Sequence, residues 1–164
     1  MSVIVVMGVS GSGKTTIGSA LAGALGVEYA EADTFHPRAN IEKMSSGVPL
    51  TDEDRAPWLE AIADWIREHQ ATGGVVTSSA LKRRYRDVLR GGGDVWFAHL
   101  DGTREILAER MKNRSGHFMP VSLLDSQLAD LEPLRPDEHG EVFDIGGTPE
   151  EITRAALTAF RKHA

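Results

Sequence analysis

No cysteine occurs among the 164 residues, which excludes disulfides, thiolate catalysis and cysteine-held zinc. No apolar run approaches the roughly 18–20 residues that a membrane span needs. The first residues, Met1 to Met7, lead straight into a glycine-rich segment, so no secretory leader is expected. Internal repeats, low-complexity tracts and dividing linkers are also missing, and one domain over 1–164 is the expectation. Positive charge is in short supply, with 18 Lys and Arg against 24 Asp and Glu, a formal net charge of −6. Such a chain repels polyanions as a whole, so neither nucleic acid nor a membrane is an expected partner, and an anionic ligand needs a local basic pocket. A cytoplasmic location fits these absences.

What remains is ordinary globular material, 41% hydrophobic and 26% charged. Val3 to Met7 is a continuous apolar run suited to a strand buried on both faces. Gly8 to Thr15 is a glycine-rich turn, and Thr16 to Leu25 reads as a helix ended by Gly26. Further strands are expected at Glu28–Ala32, Val75–Thr77, Val95–Leu100 and Val142–Ile145. Helices are expected at Pro37–Ser46, from a cap at Thr51 or Asp52 through His69, and at Lys82–Leu89, Glu105–Lys112 and Leu123–Leu131. The last helix begins with Thr148, Pro149 and Glu151 in a capping-box arrangement. Strands alternating with helices imply right-handed crossovers and a parallel sheet covered on both faces.

The segment Gly8-Val9-Ser10-Gly11-Ser12-Gly13-Lys14-Thr15 matches G-x-x-x-x-G-K-[ST] at every fixed position. Glycines permit backbone conformations that turn successive N–H groups inward at a helix N-terminus, creating an anion site. Gly8, Ser10, Gly11, Ser12, Gly13, Lys14, Thr15 and Thr16 are therefore candidate ATP-binding residues, with Lys14 on the β- and γ-phosphates and the Thr15 hydroxyl on Mg²⁺. No Asn-Lys-x-Asp segment of the guanine-specific type is present, and the chain is short for a motor ATPase. A small kinase is the simplest reading.

Glu31 and Asp33 emerge where the second strand ends, the place where ligands sit in open parallel sheets. Asp33 can orient or help deprotonate an acceptor hydroxyl, or it can cap the turn before Pro37. His36 follows in the same loop. The basic residues Lys82, Arg83, Arg84 and Arg86 are either anion ligands or a solvated helix face, and the same choice holds for Arg110 and Arg114 at i and i+4.

Several blocks together resemble the gluconokinase family: Glu31-Ala32-Asp33-Thr34-Phe35-His36-Pro37, Asn40-Ile41-Glu42-Lys43-Met44, Gly47-Val48-Pro49-Leu50 and Asp52-x-Asp54-Arg55-x-Pro57-Trp58-Leu59. The resemblance continues through Ser79-Ala80-Leu81-Lys82, Tyr85-Arg86-Asp87, Arg114-x-Gly116-His117-Phe118, Ser126-Gln127-Leu128 and Leu131-Glu132-Pro133, ending near residue 138. It implies a three-layer P-loop NTPase fold, nucleoside-monophosphate-kinase-like, with a five-stranded parallel sheet and a mobile lid at about 110–120. It also implies transfer of the ATP γ-phosphate to the 6-hydroxyl of D-gluconate, and it leaves a homodimer open. The residues it points to are Lys14, Asp33 and Arg114 for catalysis, and Arg110 against adenine. Asp33, His36, Arg55, Lys82, Arg86 and His117 are implied around the substrate, with Thr15 and, through water, Glu31 around Mg²⁺. Glu31 stands where the family usually has Asp, and Ser78 where it commonly has Cys. Other acceptors, such as shikimate, another sugar acid or a nucleoside monophosphate, and a nucleotide-binding module without transfer, are the alternatives.

Overall fold

A computed structural model describes residues 2–9, 11–48, 50–112 and 121–163. In chain order the elements are β1 (Val3–Met7), α1 (Lys14–Leu25), β2 (Glu28–Glu31), a 3₁₀ turn (Ala32–Phe35), α2 (Arg38–Ser45), α3 (Asp52–Glu68) and β3 (Gly74–Thr77). They continue with α4 (Arg83–Arg90), β4 (Val95–Asp101), α5 (Arg104–Lys112), α6 (Val121–Asp130), β5 (Gly140–Asp144) and α7 (Pro149–His163). The five strands form one sheet of order β2-β3-β1-β4-β5, with every pairing parallel. Among the described residues no helix is long and apolar enough to cross a membrane.

The continuous apolar run of β1 is explained by its central place: it pairs with β3 on one side and β4 on the other, and all five residues are buried. Alternation sends Ile4 and Val6 to one face, where Leu21 of α1, Trp96, and Ile152 and Phe160 of α7 complete a core. Val3, Val5 and Met7 face the other way, onto Trp58, Ile62 and Ile66 of α3 and Leu89 of α4.

The start of α3 is fixed by Thr51, not Asp52. Its side chain accepts from the Asp54 amide at 3.1 Å, and Asp54 Oδ2 accepts from the Thr51 amide at 2.9 Å. The same carboxylate accepts from Lys43 Nζ at 2.9 Å, tying α2 to α3. The lysine and the Thr51 amide hold the Asp54 carboxyl down at about 2. At α7 the Thr148 hydroxyl accepts from the Glu151 amide at 3.2 Å and donates to the Glu151 carboxylate at 3.0 Å, a variant of the expected box. Two strands start earlier than expected because a glycine lets the chains close up. A Cβ on Gly140 would lie 2.4 Å from the Phe97 carbonyl, and one on Gly74 would lie 2.7 Å from the Trp65 ring. β2 stops at Glu31, because Ala32 already begins the 3₁₀ turn.

Candidate active site

The glycine loop leaves β1 at its C-terminal end and opens α1. Gly8, Gly11 and Gly13 have φ values of 154°, 83° and 91°. At Gly8 space is decisive as well as conformation, since a Cβ would lie 2.7 Å from both the Leu100 carbonyl and Ser12 Oγ. Lys14 curls back over the loop, donating to the carbonyls of Gly8 at 2.9 Å and Val9 at 3.1 Å. The Ser12 hydroxyl is 1% exposed and has no hydrogen-bond partner among the described residues, an uncompensated polar group of the kind a bound phosphate oxygen satisfies. Arg110 lies beside this loop: its Nη1 is 3.7 Å from where a Gly13 Cβ would stand, and its Nη2 donates to the Ile145 carbonyl at 2.7 Å. Thr15 and Thr16 are exposed at the first turn of α1.

Next to the loop, Tyr29 donates to Glu31 Oε1 at 3.1 Å and lies within reach of the Thr15 and Thr77 hydroxyls. Burial first, then the Glu31 carboxylate, push the phenol up to about 12. The two residues expected around Mg²⁺, Thr15 and Glu31, both act on this phenol, Glu31 raising it and Thr15 lowering it. Their donors are all oxygen, which suits a hard cation. Sequence reasoning passed over Tyr29, whose strand position gave no chemical signal.

Asp33 sits exposed in the 3₁₀ turn after β2. Trp58 Nε1 holds that turn from outside by donating to the Ala32 carbonyl at 2.7 Å, and within it the Thr34 hydroxyl donates back to the Glu31 carbonyl at 2.7 Å. Among the described residues no hydrogen bond engages the Asp33 carboxylate, so it does not cap the turn. His36 stacks on Trp58, with ring centroids 4.3 Å apart and an 11° interplanar angle, and its Nδ1 is 3.4 Å from Asn40 Nδ2. Burial pushes the His36 imidazole below its ordinary value; Asp33 pulls it up and Arg55 pushes it further down.

Arg55, Lys82 and Arg84 surround the Tyr85 ring, with cationic centres 5.7, 5.9 and 5.5 Å from its centroid. The Tyr85 hydroxyl donates to Asp52 at 2.7 Å and accepts from Arg55 at 3.3 Å. That hydroxyl, helped by Arg84, Lys82 and Arg55, holds the Asp52 carboxyl below its usual range against an opposing desolvation that outweighs any one of the three cations. Since β2, β3 and β1 are neighbours, Asp33 after β2, Lys82 after β3 and the loop after β1 open on one edge of the sheet.

Arg86 is a correction. It was expected to meet substrate, but its side chain is 0% exposed. Its donors are spent on Glu138 at 2.7 and 3.0 Å, and on the carbonyls of Ala80, Leu81 and Pro133 at 2.9, 3.3 and 3.2 Å. Burial alone would raise the Glu138 carboxyl, but hydrogen bonds from Arg86, the Arg135 amide and Arg90 bring it below its ordinary value. Arg86 therefore shapes the segment leading to Lys82, in which Ala80 has a φ of 44°. Glu132 works from the same side, its amide donating to the Leu81 carbonyl at 2.7 Å and its carboxylate accepting from the Arg83 amide at 2.9 Å. Ser10, Arg114, His117 and most of the expected lid lie outside the described residues. An open groove between β5 and α7, lined by Trp96, Phe143 and Ala159, is remote from this chemistry.

The family model described as shikimate kinase matches residues 10–135. A curated gluconokinase of Gluconobacter oxydans is 55% identical over 138 residues, covering 82% of this chain and 78% of the relative. The chain belongs to the gluconokinase family. Among solved structures, a gluconokinase from Sinorhizobium meliloti 1021 superposes with a TM-score of 0.91 at 48% identity, over 99% of this chain and 93% of that one. An unliganded sugar kinase from Janibacter sp. HTCC2649 gives 0.90 at 53% identity, over 98% and 95%. As a P-loop kinase of the gluconokinase family, the chain uses a nucleotide, ATP.

Proposed function

We propose that the protein transfers the γ-phosphoryl group of ATP to the 6-hydroxyl of D-gluconate, giving 6-phospho-D-gluconate. The observation that carries the reading is a carboxylate without hydrogen bonds among the described residues, Asp33, opening on the same sheet edge as the phosphate loop. The curated relatives named gluconokinase supply the acceptor.

On this reading the loop amides and Lys14 hold the triphosphate, Lys14 exchanging its two carbonyl partners for phosphate oxygens. Asp33 accepts the hydrogen of the attacking hydroxyl and aims it in line. Arg55 and Lys82 receive the sugar-acid carboxylate, to which a fixed pair of cations gives both charge and orientation. His36, kept neutral by burial and flat against Trp58, offers hydrogen bonds to the polyol. Thr15, with Glu31 through water, would hold Mg²⁺, which supplies charge neutralisation across the β- and γ-phosphates when bound. Arg114, His117 and a lid over 110–120 enter on the sequence blocks alone, and one kinase domain over 1–164 enters on the lack of repeats, low-complexity tracts and linkers in the sequence.

A coupled assay with ATP, Mg²⁺ and a panel of D-gluconate, shikimate and related acids tests the proposal. D-gluconate should have the highest kcat/KM, because buried polar groups left unpaired penalise the wrong acceptor strongly. Turnover of another acid in its place would reassign the acceptor. ATP binding by folded protein with no turnover of any acid would leave only a binding module.

A further inference from the structure

At the sheet edge opposite the phosphate loop, three side chains from three parts of the chain converge. Asp94 precedes β4, His139 precedes β5, and His163 lies in the last turn of α7; one ligand atom from each lies within 4.8 Å of the other two. His139 Nδ1 is 3.9 Å from Asp94 Oδ1, and the two imidazole centroids are 5.0 Å apart. Ser2, just ahead of β1, donates to Asp94 Oδ2 and lies 3.3 Å from His163 Nε2.

The carboxylate is held from behind. The Asp94 amide donates to Gln70 Oε1 at 2.9 Å, and its carbonyl accepts from Gln70 Nε2 and the Val3 amide, both at 3.1 Å. The Ser2 hydroxyl then orients one carboxylate oxygen and leaves the other turned toward His139, the kind of outer support that metal ligands use. Charge pairing also sets this carboxylate apart. Asp87, Asp125 and Asp137 each face an arginine, whereas the ion pair at Asp94 is with an imidazole. Two imidazoles beside one carboxylate form a nitrogen-rich donor set, which selects borderline transition ions over hard ones.

We propose that Asp94, His139 and His163 form a binding site for one divalent transition ion of the zinc type, with water at the fourth position. Ligand bonds of about 2.0–2.2 Å require the three donor atoms to close by about 1 Å. The carboxylate and the His139 ring are exposed, so side-chain rotation can supply that closure. Mg²⁺ does not compete, since it prefers octahedral oxygen. The ion would clip the end of α7 to the starts of β4 and β5, far from the transfer chemistry, so it should change stability and leave turnover alone.

Zn²⁺ titration by calorimetry and thermal melting, with Co²⁺ as the optical probe, tests the site on the full chain. The expected result is one ion per chain, visible-region cobalt bands typical of nitrogen and oxygen ligation, and a Tm rise of about 5 °C at a hundredfold excess over Kd. The His139→Ala/His163→Ala variant should lose all three while its turnover with Mg²⁺-ATP stays within about twofold. If that variant does not fold, Asp94→Asn should still weaken Zn²⁺ at least about tenfold. Failure of the parent protein to bind Zn²⁺, or binding that survives these substitutions unchanged, overturns the proposal.

Discussion

The proposed nucleotide side of the crevice is made of main chain, its shape set by three glycines with positive φ within six residues, Gly8, Gly11 and Gly13, whereas the proposed acceptor side is made of side chains from the turn after β2, from α3 and from the segment before α4. The first rests on β1 and α1 and packs closely against the Leu100 carbonyl of β4. The second rests on distant supports: Trp58 on the Ala32 carbonyl, Tyr85 on Asp52, and Arg86 with Glu138 under the Ala80–Leu81 segment. Damage should therefore look different on the two sides. A change at the loop should cost transfer without cost to folding, while a change beneath the acceptor site should cost both.

The hardest test of that contrast is Arg86→Ala, which leaves Glu138 buried without its main partner. A loss of about 3–5 kcal/mol in stability is expected, read as a Tm fall of about 10 °C, together with a raised KM for gluconate. Arg86→Met combined with Glu138→Leu should recover most of the stability but not the KM, because the two loop carbonyls remain unheld. Lys14→Ala is the counterpart. Its kcat/KM should drop by about 10²–10³, or about 3–4 kcal/mol of transition-state stabilisation, with Tm nearly unchanged; full activity would break the assignment of the loop. Trp58→Phe keeps an aromatic face for His36 but strips the Ala32 carbonyl of its donor. The expected cost is about 1–3 kcal/mol in chemical denaturation, accompanied by a weaker acceptor KM and an unaltered KM for ATP.

The smallest effect is one of pH. His99 on β4 is 4% exposed and neither ring nitrogen has a hydrogen-bond partner among the described residues. Burial pushes its pKa below the ordinary 6.5; Asp101 pulls it up and Arg86 pushes it down. The folded state thus binds fewer protons at this site than the unfolded state does. Its contribution is complete above about pH 6.5 and is lost as pH falls from there toward the lowered folded value. The slope is at most about 1.4 kcal/mol per pH unit. Melting curves at several pH values should show a shallower acid slope for His99→Leu than for the parent.

The same contrast governs what could be read from residues alone. The loop is local, eight consecutive residues with the lysine and threonine at set offsets, so its function was legible before any coordinate. The element order and the parallel sheet followed from alternating apolar runs. Asp33 was legible as a strand-end carboxylate, although only the geometry separated an open carboxylate from a turn cap. Arg86 was misread for a physical reason: its partner Glu138 lies 52 residues away in the chain, and no periodicity joins them. Tyr29 and Tyr85 carry no pattern of their own, and their importance comes from which hydroxyls and cations the fold brings to them. Gly140 and Gly74 lengthened two strands because close packing over Phe97 and Trp65 needed the missing Cβ.

The stacking of His36 on Trp58 turns the acceptor pocket into its own optical probe. Indole emission is quenched by a protonated imidazole far more than by a neutral one; Trp65, seven residues further along α3, stacks on His69, and Trp96 on β4 packs against Phe143 and Phe160. A sugar acid that settles beside His36 will change both the contact and the proton affinity of the ring. In a Trp65→Phe background, which removes the second indole–imidazole pair, steady-state fluorescence then reports acceptor occupancy without any label.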